Sequence, residues 1–225
     1  MTLLEAATVS EDDFPYDLPE KWVWVELGNI AKFINGDRGN NYPSQKDFIK
    51  SGIPFINAGH LKNGKIDIAK MNYISKEKFE ALGSGKVMED DVLYCLRGTL
   101  GKAAIVSNID EGAIASSLVI LRPHKGIVSK YIYYYLISSI GMSMINIHDN
   151  GSAQPNLSAG NVKKYLVPIP SYYEQRRIVS RLEATFNRID NARRIIGDLK
   201  EFEILKHSAL YKAFRGELFD LVFND

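Results

Sequence analysis

The pattern of apolar and polar positions changes at Pro170. Before it, short apolar runs rich in β-forming residues alternate with turn-rich segments, which is typical of strands joined by loops. Strands are predicted at residues 22–33, 92–96, 103–106, 113–121 and 165–169, and residues 53–56 form a further short apolar run. Helices are predicted at residues 75–82, with Ser75 as the N-cap, and at residues 129–147. Residues 1–170 are therefore expected to form one α/β domain with a mixed sheet.

After Pro170 the apolar spacing becomes helical. Residues 172–215 contain no proline and a single glycine, Gly197. Alternating steps of three and four residues from Leu182 lead through ten positions, of which seven are apolar. The ten positions are Leu182, Thr185, Ile189, Ala192, Ile196, Leu199, Glu203, Lys206, Leu210 and Ala213. This spacing predicts a coiled-coil-forming helix within residues 171–225. Near Glu203 we expect a stutter, where Phe202 and Leu205 continue the apolar stripe.

A continuous helix over residues 172–215 would have 44 residues and would be roughly 65 Å long. Alone in water it would leave its apolar stripe exposed, so a second helix is expected to cover it. The side chains expected at that interface are Leu182, Ile189, Ala192, Ile196, Leu199 and Leu210. The alternative is a helix that folds back on its own domain.

The composition is that of an ordinary globular protein. The chain has 225 residues, of which 45% are hydrophobic and 24% are charged. Cys95 is the only cysteine, so we expect no disulfide, no cysteine-based metal cluster and a reducing, cytoplasmic location. No signal peptide is predicted, because the first 14 residues are acidic and lack a basic region before an apolar run. The apolar stretch at residues 131–147 is too polar to span a membrane.

The net charge of +1 hides an uneven distribution. Residues 1–26 carry one basic and seven acidic side chains, residues 27–170 carry 17 and 11, and residues 171–225 carry 10 and 9. The middle segment thus has a net charge of +6, which suits a polyanionic partner such as nucleic acid. Metabolic enzymes show a similar excess, so charge alone does not decide the function.

The sequence lacks the motifs of the common catalytic sites. It contains no G-x-G-x-x-G, and none of its three Gly-Lys pairs is followed by Ser or Thr, as a phosphate-binding loop would require. The four histidines are far apart and have no nearby cysteine, so no metal site is predicted. No N-P-P-aromatic tetrapeptide of an amino-methylating enzyme occurs. The chain is therefore expected to bind rather than to catalyse, and no catalytic residue, cofactor or metal is assigned.

Three blocks of sequence and a shorter fourth one resemble a known family. They are L-P-E-K-W-V-W-V-E-L-G-N-I-A-K-F at residues 18–33, R-G-T-L-G-K-A-A at residues 97–104, the stretch from G-S-A-Q-P-N-L-S to P-I-P-S-Y-Y-E-Q-R-R-I-V-S-R-L-E at residues 151–183, and K-A-F-R-G-E-L at residues 212–218. Together they resemble the specificity subunits of Type I restriction–modification systems. The block at residues 151–183, followed by a long helix, is the most specific part.

The resemblance implies a non-catalytic subunit that recognises double-stranded DNA. Such subunits usually carry two target-recognition domains, each followed by a long helix, and the two helices pack antiparallel. This chain has one such domain, residues 1–170, and one helical region, residues 171–225. The resemblance therefore implies a homodimer that contacts an inverted repeat. Modification subunits would supply S-adenosylmethionine and methyl transfer, and a restriction subunit can accompany them.

Recognition of DNA needs donors to phosphates for position and side chains that reach base edges for sequence. The loop at residues 35–43 offers four candidates, which are Arg38, Asn40, Asn41 and Tyr42. Arginine suits guanine and asparagine suits adenine in the major groove. His60 and Lys62 are further candidates near the end of a predicted strand. For each segment the alternative is a solvated surface loop or turn.

The turn at residues 97–102 is expected to contact phosphates. Gly98 and Gly101 permit close approach of the backbone, and the polar side chains are Arg97, Thr99 and Lys102. Gln154 is a candidate for adenine, although the recurrence of its loop in family members with different targets favours a structural role. Lys163 and Lys164 are expected to contact phosphates.

Two other functions stay open on the sequence alone. One is a stand-alone DNA methyltransferase or nuclease with an unrecognised site, which bound S-adenosylmethionine or metal would reveal. The other is a coiled-coil adaptor that contacts only proteins, for which the assembled complex would not protect DNA.

Overall fold

The computed structural model describes residues 14–148, 157–196 and 200–218. Its strands are β1 (Val23–Glu26), β2 (Ala31–Asn35), β3 (Ile53–Ile56), β4 (Leu61–Lys62), β5 (Lys65–Ile66), β6 (Asn72–Ile74), β7 (Val92–Cys95), β8 (Ala103–Ile105), β9 (Ala113–Ile114), β10 (Leu118–Pro123) and β11 (Leu166–Ile169). Its helices are α1 (Leu27–Ile30), α2 (Lys76–Ala81), α3 (Ser129–Ile137), α4 (Ser139–His148), α5 (Ala159–Lys163), α6 (Tyr172–Ile196) and α7 (Lys200–Phe214). The predicted α/β class is confirmed. Among the described residues, no helix combines the length and the hydropathy needed to cross a membrane.

A four-stranded antiparallel sheet, in the order β2-β10-β7-β8, forms the centre of the fold. Asn35 at the end of β2 pairs with Val119, and Leu118 at the start of β10 pairs with Cys95 at the end of β7. The end of β2, the start of β10 and the turn between β7 and β8 therefore lie together. We call this edge the Asn35 end of the sheet.

The central sheet is buried on both faces. Along β7, Val92 and Tyr94 belong to the largest hydrophobic cluster, whereas Leu93 and Cys95 belong to a second cluster. This division follows from the two-residue period of a strand. Because both faces are covered, β7 and the first part of β10 are apolar at every position. The largest cluster also contains residues of α3, α6 and α7, so the helices after Pro170 share their core with the sheet.

Smaller groups of strands flank the central sheet. Strands β6, β3 and β9 form a three-stranded sheet, and β1 pairs with β11. Strands β4 and β5 form a hairpin that is joined to β8 by a bridge between Gly64 and Ala104. The hairpin turns at Asn63 and Gly64, whose φ angles of 50° and 75° suit a type I′ turn.

Two predicted elements are each divided in the structure. Residues 113–121, predicted as one strand, form β9 and β10, and residues 129–147, predicted as one helix, form α3 and α4. At the helix break, the Ser138 hydroxyl donates to the Tyr135 carbonyl at 2.6 Å and accepts the Gly141 N–H at 3.1 Å. A Cβ atom on Gly141 would overlap that carbonyl oxygen, so the break requires glycine at this position.

The prediction of one continuous C-terminal helix is wrong. Helices α6 and α7 pack as an antiparallel hairpin, in which Arg193 pairs with Glu203 and Asp190 pairs with Lys206. The reason is that apolar side chains of α7 pack against the α/β domain of the same chain. Three of them are fully or almost fully buried in the largest hydrophobic cluster, namely Leu210, Ala213 and Phe214.

The chain itself therefore covers most of the apolar stripe. The Phe214 ring packs edge-on against Tyr131 and Tyr135, with ring centroids 5.1 and 5.6 Å apart. Of the residues expected at an interface with a second copy, Leu182, Ile189 and Leu210 are buried within one chain, and Ala192 is half-buried. Leu199 and the side chain of Ile196 lie outside the described residues. The folded-back alternative is the one that the structure shows.

Candidate nucleic-acid interface

Two of the predicted DNA-contacting segments lie together at the Asn35 end of the sheet. The loop at residues 36–43 follows β2, and the turn at residues 97–102 joins β7 to β8. Between them, the Leu96 N–H donates to the Ser117 carbonyl at 2.9 Å. The Leu157 N–H donates to the Leu96 carbonyl at 3.0 Å, so Leu157 also lies at this edge. Gln154 itself lies outside the described residues.

The loop at residues 36–43 is anchored at its beginning. A Cβ atom on Gly36 would lie 2.8 Å from the backbone of Ala115, so only glycine fits at this position between the ends of β2 and β9. The Asp37 carboxylate accepts the N–H groups of Gly39 and Gly83, each at 2.7 Å. These donors, with that of Gly39 first, hold the pKa of Asp37 below its ordinary value. A charged carboxylate thus ties the loop to the segment after α2.

The four candidates on this loop divide into two pairs. Asn41 and Tyr42 hold the loop in place: the Asn41 amide donates to the Ala81 carbonyl at 2.7 Å, and the Tyr42 ring packs edge-on against Phe55. Arg38 and Asn40 are exposed, and within the described residues their side chains make no hydrogen bond or ion pair. Their donors and acceptors are available to a partner.

The turn at residues 97–102 presents further polar groups. Arg97 and Thr99 are exposed, and Lys102 is half-buried. The Cys95 thiol donates to the Arg97 carbonyl at 2.9 Å, and the Cys95 N–H donates to the Lys102 carbonyl at 2.9 Å, which closes the turn. Gly98 has a φ angle of 88° and nothing within 4 Å of an added Cβ, so its backbone is open to close approach.

The two ends of the central sheet differ in how their arginines are used. At the far end, Arg122 forms two hydrogen bonds of 2.8 Å to the buried carboxylate of Asp91. At the Asn35 end, neither Arg38 nor Arg97 has an ion-pair partner among the described residues. Unpaired guanidinium groups at one edge favour a negatively charged partner there.

The remaining candidates have other surroundings. His60 is 6% exposed, its Nδ1 accepts the Asn57 N–H at 3.1 Å, and its Nε2 lies 3.1 Å from the Lys70 carbonyl. Both ring nitrogens are engaged, so the expected DNA contact of His60 has no support in this structure. Lys62 is exposed on the β4–β5 hairpin and forms an ion pair with Asp67. Lys163 and Lys164 are exposed at the end of α5, with the Lys163 ammonium 5.7 Å from the Phe33 ring of the edge strand β2.

Two contributors to this surface were not predicted from the sequence. Asp37 anchors the loop, and its signal was the Asp-x-Gly pattern at residues 37–39, which is typical of a turn closed by an Asp side chain. Asn63 and Gly64 form the tip of the β4–β5 hairpin, and their signal was the Asn-Gly pair. Among the described residues, no cluster of three or more His, Cys, Asp or Glu side chains could hold a metal ion.

The sequence matches a described family and several curated proteins. Residues 19–201 match the family described as Type I restriction modification DNA specificity domain. The chain is 31% identical over 214 residues to the Type I restriction enzyme EcoBI specificity subunit of Escherichia coli. This alignment covers 93% of this chain and 44% of that protein. It is 26% identical over 214 residues to a putative type I restriction enzyme MjaX specificity subunit of Methanocaldococcus jannaschii, covering 91% and 48%. The chain thus spans about half the length of the curated relatives it matches.

The fold is also similar to solved structures. The HsdS subunit from Thermoanaerobacter tengcongensis aligns with a TM-score of 0.64 and 24% sequence identity. The alignment covers 92% of this chain and 48% of that chain. At this identity the likeness concerns the fold.

Proposed function

The chain belongs to the family of Type I restriction modification DNA specificity domains, and from this premise we propose that it recognises a DNA target through the Asn35 end of its central sheet. One observation carries the proposal. Loops far apart in the sequence meet at this edge, and Arg38, Asn40 and Arg97 are exposed there without partners among the described residues. The net charge of +6 on residues 27–170 supports the same partner.

The side chains at this edge suit two kinds of contact. Arg38 and Asn40 extend from an anchored loop and are proposed to contact base edges, because Arg can bind guanine and Asn can bind adenine through two hydrogen bonds. Arg97, Thr99 and the open backbone at Gly98 are proposed to contact phosphates. Lys163 and Lys164, beside β2, would extend the phosphate contacts along the edge strand.

The experiment maps methylated sites after DNA is exposed to this chain together with modification subunits. We expect Arg38→Ala or Asn40→Ala to relax the sequence requirement at one base pair, because a base contact is lost. Arg97→Ala should instead weaken binding to all duplexes and reduce its salt dependence. The control is Lys125→Ala, an exposed lysine beyond the opposite end of β10. If the wild-type complex binds no target duplex in a salt-dependent manner, the proposed function is wrong.

We further propose that the chain does not itself catalyse, and that modification subunits supply methyl transfer in the cytoplasm. The names of its relatives as specificity subunits support this division. The competing function is a stand-alone methyltransferase or nuclease. Bound S-adenosylmethionine, or metal-dependent cleavage by the purified chain, would decide for that competing function.

We also propose that two copies associate, so that they contact an inverted repeat. The residues first expected at that interface are largely buried in one chain, so another surface must serve. The end of the α6–α7 hairpin carries apolar side chains exposed by 82% at Ile195, 65% at Ile204 and 52% at Leu205. Exposed apolar side chains near one end of a helical hairpin favour association with another protein surface.

A further inference from the structure

A cleft of about 370 Å³ lies beside the turn at residues 97–102. One wall is the β4–β5 hairpin, with Lys62, Asn63 and Gly64, and the other is the end of the turn at residues 97–102, with Gly101 and Lys102. Tyr133 of α3 forms the third side. The cleft is open to solvent, shares the turn at residues 97–102 with the Asn35 end, and does not include the loop at residues 36–43 that is proposed to contact bases.

The backbone of the hairpin gives the cleft its shape. Gly64 adopts a φ angle of 75°, and a Cβ atom there would overlap the Tyr133 hydroxyl group. Glycine at this position therefore lets the hairpin tip approach the tyrosine closely. On the opposite wall, Gly101 has a φ angle of 81°, and a Cβ there would overlap the Met142 sulfur of α4. The two turns are thus held against α3 and α4.

The cleft offers hydrogen-bond donors and positive charge. Lys102 makes no side-chain hydrogen bond or ion pair within the described residues. The Lys62 side chain is 60% exposed, and its pairing with Asp67 leaves further N–H donors of the ammonium free. The Tyr133 hydroxyl has no hydrogen-bond partner within the described residues, and burial raises its pKa, so it keeps its proton. Asp67 is oriented by Lys62 and by the Ala69 N–H, at 2.9 Å.

We propose that this cleft binds one backbone phosphate of duplex DNA, with Lys62 and Lys102 supplying charge and the Tyr133 hydroxyl donating a hydrogen bond. The proposal rests on the proposed function, and it adds a phosphate position outside the loop at residues 36–43. Two lysines that line the same cleft suit a phosphate better than a base edge, because a lysine acts as a compact point charge. Duplex DNA is favoured over a free nucleotide because the cleft is open and continuous with the turn at residues 97–102.

The test measures the affinity of the assembled complex for its target duplex as a function of salt concentration. We expect the double variant Lys62→Ala, Lys102→Ala to bind about tenfold more weakly and to lower the slope of log K against log salt by about 1, with the target sequence unchanged. Tyr133→Phe should weaken binding by about 3- to 10-fold with the slope unchanged, because a neutral hydroxyl releases no counterion.

Lys65→Ala is the matched control, since Lys65 is exposed on the same hairpin but does not line the cleft. It should retain the wild-type slope, and thermal unfolding confirms that each variant folds. If the double variant binds the target with the wild-type slope, the cleft does not bind a backbone phosphate, but the proposed function stays intact. A wild-type complex that binds no duplex overturns the proposed function instead.

Inorganic phosphate and a mononucleotide serve as probes of the other source of phosphate. We expect neither to compete with the duplex at millimolar concentration. Saturable binding of either probe to the wild type, lost in the double variant while duplex binding is unaffected, would overturn the DNA assignment in favour of a free phosphate ligand.

Discussion

Asp37 joins two segments that are far apart in the sequence, because its carboxylate accepts the N–H groups of Gly39 and Gly83. Arg38 lies between Asp37 and Gly39, so its position depends on the hydrogen bond that joins them. We expect Asp37→Ala to lower the melting temperature slightly, since the half-buried carboxylate loses two backbone hydrogen bonds, and to weaken target binding roughly tenfold. Titration of the target duplex into the assembled complex measures this loss.

Two further variants separate anchoring from charge. Asp37→Asn keeps one acceptor oxygen and should fall between the wild type and Asp37→Ala. Asp110→Ala removes an exposed carboxylate away from the loop and should bind like the wild type. Wild-type affinity in Asp37→Ala would show that the loop holds its shape without this anchor.

At the residue scale, the sequence predicted which side chains suit DNA but not which of them are free. Asn40 and Asn41 are equivalent by residue type, yet the Asn41 amide donates a hydrogen bond to the carbonyl of Ala81, which lies on another element. His60 is likewise taken by the Lys70 carbonyl. Such partners come from tertiary packing, so a local pattern does not reveal them.

The break between α3 and α4 is an element-scale feature that one substitution tests. A methyl group on Gly141 would overlap the Tyr135 carbonyl oxygen, so Gly141→Ala is expected to destabilise the fold by about 1–3 kcal/mol. Gly160→Ala in α5 is the matched control, because its Cβ would meet only the Ser158 hydroxyl, at 3.4 Å. That variant should be neutral or stabilising by up to about 1 kcal/mol. Urea denaturation measures both, and equal stabilities would contradict the steric argument.

Elements fixed by local chemistry were predicted well. Helix α2 begins after Ser75, whose hydroxyl accepts the Lys78 N–H at 3.2 Å, and the apolar run at residues 92–96 contains β7. The divisions within residues 113–121 and 129–147 were missed. Apolar residues occur on both sides of each division, so hydrophobic pattern alone does not separate one element from two.

At the scale of the whole molecule, the heptad spacing predicted an apolar stripe but not its partner. The stripe is real, since Leu182 and Leu210 are buried. Their partners are residues of the chain's own body, because α7 returns along α6 and packs against α3. A periodic pattern indicates which face of a helix is apolar. It does not indicate whether that face packs against a second copy or against the same chain.

Association of two copies through the end of the α6–α7 hairpin is tested by charging that surface. Ile204→Glu with Leu205→Glu should leave the melting temperature unchanged, because both side chains are exposed, and should shift the mass in light scattering from dimer to monomer. Ile68→Glu is the matched control, since Ile68 is 64% exposed on a different surface, and it should stay dimeric. Leu210→Glu should instead unfold the chain, because it places a charge in the core. A dimer that survives the double charge would place the contact between copies on another surface.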